Sequence, residues 1–223
     1  MGTSIRDALT AMPRRARRRI ARLRHERGRM EDTYGTVELA ELGFANPDFV
    51  HYQPSSWRHL DRALEGCQVG ADDVFIDYGC GKGRVVYLAA QRPFGRVIGL
   101  EIAEDLIAVA RRNIERNRDR LVCPNIDLVT ADVVGYEVPD DVTYAYFYNP
   151  FVGEVFRAAL DGLIDSLDRR PRELTVIYAN PTMADLVRAA GRFELVREVA
   201  MSQKGGEPVP VNELLQVYRS VPG

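Results

Sequence analysis

At 223 residues with 46% apolar side chains, the chain can bury one substantial core, which excludes a disordered polymer. No run nears the roughly 18 to 20 consecutive apolar residues of a membrane span, and the start lacks the apolar centre of a secretory leader, so a soluble protein is expected. Cys67, Cys80 and Cys123 are widely spaced and never form a C-x-x-C pair. That excludes a disulfide framework and a structural zinc site as expectations, and suits a reducing, cytoplasmic compartment. The net charge of −2 hides an asymmetry: residues 1–30 hold ten Arg against Asp7 and Glu26, so the start is +8 and the remainder −10. Such a basic arm on an acidic body suits nucleic acid or a membrane surface. A blander cause competes, because 28 of the 30 cations are Arg, as in high-GC bacterial coding.

In chain order, residues 4–27 read as an amphipathic helix broken at Pro13, with Ala16, Ile20 and Leu23 in a narrow apolar stripe. This arm is expected to dock on the body or on a second subunit as a homodimer, and a transit peptide is the less favoured reading. Residues 28–56 form a connector, and Ser55 or Ser56 caps a helix running to about residue 67. From residue 73 onward, strands over 74–78, 96–101, 126–130, 144–149 and 174–180 alternate with helices over 83–92, 103–117 and 154–167, the second with Leu106, Val109 and Ala110 facing inward. This βαβ alternation predicts a parallel sheet with helices on both faces. Residues 193–201 and 213–220 have no helix between them and predict an antiparallel hairpin at one sheet edge. The division is an arm and connector over 1–50 and one α/β domain over 51–223.

In such sheets ligands bind beyond the carboxyl ends of the strands, so the residues just after each strand carry most weight. After the first strand stand Asp77, Gly79, Gly81 and Gly83, where glycines let backbone approach a ligand and the next helix offers free N–H groups. Arg84 occupies the place where a dinucleotide fingerprint wants its last glycine, which disfavours NAD. Glu101 after the second strand suits two ribose hydroxyls, Asp132 follows the third, and Asn149-Pro150-Phe151 the fourth. A plain structural turn explains the glycines alone; the three strand ends together form a far more specific signal.

At these residues, and over about 52–220, the sequence resembles the class I S-adenosylmethionine-dependent methyltransferases. Asp77-x-Gly79-x-Gly81-x-Gly83 is similar to their first motif, Glu101 to their ribose-binding acid, Asp132 to the acid near the adenine amino group, and Asn149-Pro150-Phe151 to a shortened N-P-P-F/Y motif. The resemblance implies a Rossmann-like, seven-stranded, mostly parallel sheet. It places Tyr52, Ile102, Val133 and Asn149 with these residues around the cofactor. Tyr52-x-Pro54-Ser55, the Asp77-to-Arg84 run, Tyr148-Asn149-Pro150-Phe151 and Tyr178-x-Asn180-Pro181 resemble a family of small bacterial methyltransferases, distantly similar to histone-lysine methyltransferases of the disruptor-of-telomeric-silencing type. That family includes enzymes acting on indole C3 of tryptophan-containing cyclodipeptides. Cys80 stands where its first motif usually has serine, and the second proline of DNA amino-group methyltransferases is missing.

The implied reaction is methyl transfer to a small aromatic acceptor, with no metal. His51 and Tyr52 are candidates for removing an acceptor proton, Asn149 for orienting the acceptor, and Tyr148, Phe151 and Asn180 for walling it. In the competing readings Tyr52 packs on the cofactor, His51 is a solvated loop residue, Asn149 caps the next helix and Asn180-Pro181 starts another. His25 and His59 are expected at the surface, and the Tyr144, Tyr146, Tyr148 stripe in the core. Protein-lysine or nucleic-acid methylation through the arm, and a non-enzymatic binding module, are the alternatives.

Overall fold

The computed structural model describes residues 30, 33–201 and 211–223. The expected arm helix over 4–27 and the 202–210 loop lie outside the described residues. Seven strands form one sheet: β1 Val74–Tyr78, β2 Arg96–Glu101, β3 Asn125–Thr130, β4 Tyr144–Tyr148, β5 Thr175–Ala179, β6 Phe193–Ala200 and β7 Leu214–Ser220, in the order β3-β2-β1-β4-β5-β7-β6. The first five pair in parallel, and β7 inserts antiparallel between β5 and β6. The expected terminal hairpin is therefore present, and β7 alone reverses the strand direction.

Among the described residues, five α-helices accompany the sheet: α1 His59–Ala63, α2 Arg84–Ala90, α3 Glu104–Glu115, α4 Gly153–Arg169 and α5 Ala184–Ala189. Strand alternation divides the core. Phe75, Tyr144, Tyr146 and Ile177 face a cluster with α1, α2 and α3, into which Met30 also packs. Ile76, Phe147, Val176 and Tyr178 face α4 and α5 on the other side. Tyr144 and Tyr146 are thus core, as the stripe predicts.

Three expectations need correction. The helix expected up to residue 67 is only the five residues of α1. Ser56 accepts the Arg58 N–H at 3.3 Å in a turn before it, and the left-handed Gly66, at φ +82°, follows it. Arg197 of β6 satisfies the end of this short helix by donating to the carbonyls of Glu65 at 2.7 Å, Arg62 and Ala63. Secondly, α5 was expected only as an alternative, a helix start at Asn180-Pro181, because six residues are too few for a 3.6-residue period to show. In α3, Ile107 is fully buried while Val109 is only half-buried, so the inward stripe runs through Leu106, Ile107, Ala110 and Ile114. Among the described residues no helix is long and apolar enough to cross a membrane.

Candidate active site

The chain runs from β1 to β2 to β3 in one direction across the sheet and from β4 to β5 in the other, so a crevice opens beyond the carboxyl ends of β1 and β4. A pocket of about 810 Å³, including its open mouth, lies there. Its walls come from the ends of β1, β2 and β4, the segment after β3, and residues 39–55 of the connector.

Glu101 ends β2, and its carboxylate is fixed by three backbone donors: Gly81 N–H at 2.9 Å, Ile102 N–H at 2.9 Å and Ala103 N–H at 3.1 Å. Burial raises its pKa above the ordinary carboxylate value, and these amides pull it back. Asp77 is 3% exposed, and among the described residues its carboxyl receives no hydrogen bond from the protein. Burial, and after it the Glu101 charge, pushes Asp77 well above its usual value. A buried, pocket-lining acid without a protein donor fits a ligand that brings its own donors. Asp132 stands exposed at the rim and accepts the Val134 N–H at 2.9 Å. Three carboxylates around one crevice suit a ligand with an ammonium group, a ribose diol and an amino-bearing base, so these residues fit S-adenosylmethionine.

The three motif glycines divide in role. Gly79, at φ +68°, lines the pocket and packs against Pro150, where an added Cβ would come within 2.5 Å of the Pro150 Cβ. Gly81 and Gly83 do not line it. At Gly81 a Cβ would lie 2.2 Å from Cε2 of Tyr52, whose ring covers this residue, and at Gly83 it would meet Ala110 of α3 at 2.9 Å. Asn113 of α3 holds the same turn by donating to the Lys82 carbonyl at 3.0 Å.

The pocket brings together His51, Tyr52, Asp77, Gly79, Glu101, Ile102, Asp132, Val133, Tyr148 and Phe151, and leaves Asn149 and Asn180 outside its lining. Both asparagines adopt left-handed backbone, at φ 45° and 52°, immediately before prolines. The Asn149 Oδ1 accepts the Thr182 hydroxyl at 2.5 Å, tying the β4 and β5 ends together. Nor does Asn149 cap α4: Asp48 accepts the Glu154 N–H at 2.9 Å from the connector. Phe151 is 5% exposed, edge-on to Tyr78 and Phe147, so it offers the pocket a margin of a packed aromatic cluster. His51 is exposed at the mouth. Tyr52 donates its hydroxyl to the Thr33 carbonyl at 2.7 Å, and its backbone pairs with Val37. His59, expected at the surface, is 7% exposed and stands edge-on to Tyr148 at 5.4 Å. Its Nδ1 has no partner among the described residues, and burial lowers its pKa to about 4.

Several wall residues escaped the sequence reading, among them Leu39, Phe49, Ser55 and Arg84. The last had a signal. A single Arg opening a helix whose residues 84–90 are all buried must find partners inside the protein.

A methyltransferase-domain family model matches residues 70–134. The chain is 29% identical over 114 residues to a protein-lysine N-methyltransferase of Saccharolobus islandicus, covering 50% of this chain and 68% of that protein. It is 30% identical over 83 residues to a probable ribosomal RNA small subunit methyltransferase A of Methanopyrus kandleri, covering 37% of this chain but only 27% of the relative. In fold it is similar to magnesium protoporphyrin IX methyltransferase of Synechocystis, solved with bound S-adenosylmethionine, with a TM-score of 0.51 at 16% identity over 75% of this chain and 79% of that one. The matched segment holds the glycine turn, Glu101 and Asp132 on the strand ends where the pocket opens, and together with the seven-stranded Rossmann-like topology it supports an S-adenosylmethionine-dependent methyltransferase.

Proposed function

We propose that the protein methylates a small, flat, aromatic acceptor in the cytoplasm. One observation carries this reading: the pocket is two-sided. Sheet order puts the acid-bearing ends of β1, β2 and the segment after β3 on one side, and Tyr148, Pro150 and Phe151 after β4 on the other. The crevice is open to solvent at its mouth, where an acceptor can approach.

When bound, S-adenosylmethionine supplies a methyl group already activated on sulfonium, so the protein's work is chiefly positioning. Glu101, held by three amides, is oriented to accept from ribose hydroxyls. Asp77 accepts from an ammonium group, and Asp132 with Ile102 and Val133 frames the base. Gly79 keeps the floor open, while Gly81 and Gly83 serve by packing. The Tyr52 hydroxyl is committed to Thr33, which favours the packing role for Tyr52 and leaves His51, exposed at the mouth, as the group to take an acceptor proton. Tyr148 is the acceptor-side wall. Asn149 and Asn180 shape that wall from behind through their left-handed turns.

The test is direct. S-adenosylhomocysteine should raise the melting temperature and NAD should not, with stabilisation of about 2.7 kcal/mol at a hundredfold excess over Kd. A labelled-methyl screen of small indoles and phenols should then find turnover. A second reading, protein-lysine methylation, is favoured by the Saccharolobus islandicus relative. Transfer to lysine-rich protein with none to small aromatics would replace the first reading with the second.

A further inference from the structure

The segment of residues 33–55 crosses the pocket and supplies much of its outer wall, including Leu39, Phe49 and Tyr52. Its middle is tied to the turn before α4 through Asp48 and Val50, and its two ends are tied to Arg84, the first residue of α2. This side chain is 4% exposed. Its Nη1 donates to the Ser55 carbonyl at 2.7 Å, and Nε and Nη2 both donate to the Thr33 hydroxyl, at 3.0 and 2.5 Å. The guanidinium plane is flanked by the rings of Tyr34 and Trp57, at 4.6 and 4.7 Å. One cation therefore holds both ends of the segment.

A second link closes a circuit. Thr33, bound through its hydroxyl to Arg84, accepts the Tyr52 hydroxyl at its carbonyl, and the Tyr52 ring lies on Gly81 of the turn that leads back to Arg84. Gly81 in turn donates to Glu101. Turn, ribose-binding acid and outer wall are thus joined through Arg84. Lys would keep the charge but could not reproduce the planar, forked donation or the stacking between two rings.

We propose that Arg84 is a positioning residue that latches the 33–55 segment across the cofactor pocket and thereby sets how long the cofactor stays bound. This rests on the cofactor reading above for its ligand arm, but not for its ligand-free arm. Trp57 is the only tryptophan of the chain and stacks on the latch itself, so its fluorescence reports this contact without a label.

The experiment compares the full chain with Arg84→Lys and with Thr33→Val, a near-isosteric change that removes the hydroxyl accepting from Arg84 and keeps the buried cation. Each is studied well below its own melting temperature. In the ligand-free arm, acrylamide should quench Trp57 more readily in both variants. In the ligand arm, S-adenosylhomocysteine should leave about tenfold faster or more, as expected for losing hydrogen bonds to a charged group. The weaker perturbation, Thr33→Val, should lie between wild type and Arg84→Lys. Wild-type quenching and wild-type release in Thr33→Val overturn the latch. So does a lowered melting temperature alone, since that is what a merely structural contact would give. Failure of the wild-type chain to bind S-adenosylhomocysteine refutes the cofactor reading instead, and the quenching arm still decides the latch.

Discussion

Replacing Glu101 separates its two tasks. The carboxylate binds three backbone N–H groups between 2.9 and 3.1 Å, those of Gly81 and Ala103 buried and that of Ile102 partly so, from the glycine turn on one oxygen and from the start of the β2-to-α3 connection on the other. Glu101→Ala orphans all three, at about 1 to 3 kcal/mol for each of the two buried donors, an appreciable part of the roughly 5 to 15 kcal/mol that holds a domain together. Glu101→Gln is the sharper probe. Its amide oxygen can still accept from Ile102 and Ala103, but its NH₂ then faces the Gly81 N–H, donor against donor. We expect Glu101→Gln to lose about 1 to 3 kcal/mol of stability and to weaken S-adenosylhomocysteine by a similar amount, about five- to 150-fold. Glu101→Ala should melt lower still. Thermal unfolding with and without ligand, followed by calorimetric titration of whichever variant folds, reads both effects. A Glu101→Gln protein with wild-type melting and wild-type affinity would refute the claim that this carboxylate organises the turn and grips the cofactor.

Asp77→Asn should act in opposite directions on fold and ligand. An acid whose folded pKa is raised stabilises the fold at low pH and loses that contribution as pH rises from about 3.8 through the folded value. The Asn variant should therefore melt higher than wild type at neutral pH without ligand and bind S-adenosylhomocysteine more weakly; a lower melting temperature contradicts the reasoning. His59 gives the reverse slope, since a histidine held near pKa 4 when folded and 6.5 when unfolded costs stability as pH falls between those values, roughly 3 kcal/mol in all. His59→Leu should flatten that part of the profile, and an unchanged slope would show the imidazole to be solvated. At Gly81, alanine places a methyl against the Tyr52 ring at a left-handed φ of +54°, so Gly81→Ala should impair ligand binding, and Tyr52→Ala should relieve the clash in the double variant. Finally, His51→Ala should lower kcat by about 10²- to 10⁴-fold with unchanged S-adenosylhomocysteine affinity if His51 takes the acceptor proton, whereas Tyr52→Phe should be nearly silent in kcat.

The sheet was legible because strands and helices differ in period and because turn chemistry punctuates them: β1 and β2 coincide with the residues that alternation picks out, and the acids after them fall at the crevice by topology alone. The amphipathic helices α3 and α4 were equally plain, each long enough for its stripe to repeat. Local pattern determines such features, since each depends on residues near in sequence. It could not reveal that Gly81 is a glycine because of Tyr52, twenty-nine residues earlier, or that the Tyr52 hydroxyl is spent on Thr33. Nor could it reveal that Asp48 caps a helix over a hundred residues away, that His59 is inside, or that Arg84 anchors the pocket's outer wall. Those are decisions of the tertiary structure. A polar group or a turn has a fixed chemical need, but which distant segment meets it is set only when the connector packs across the strand ends.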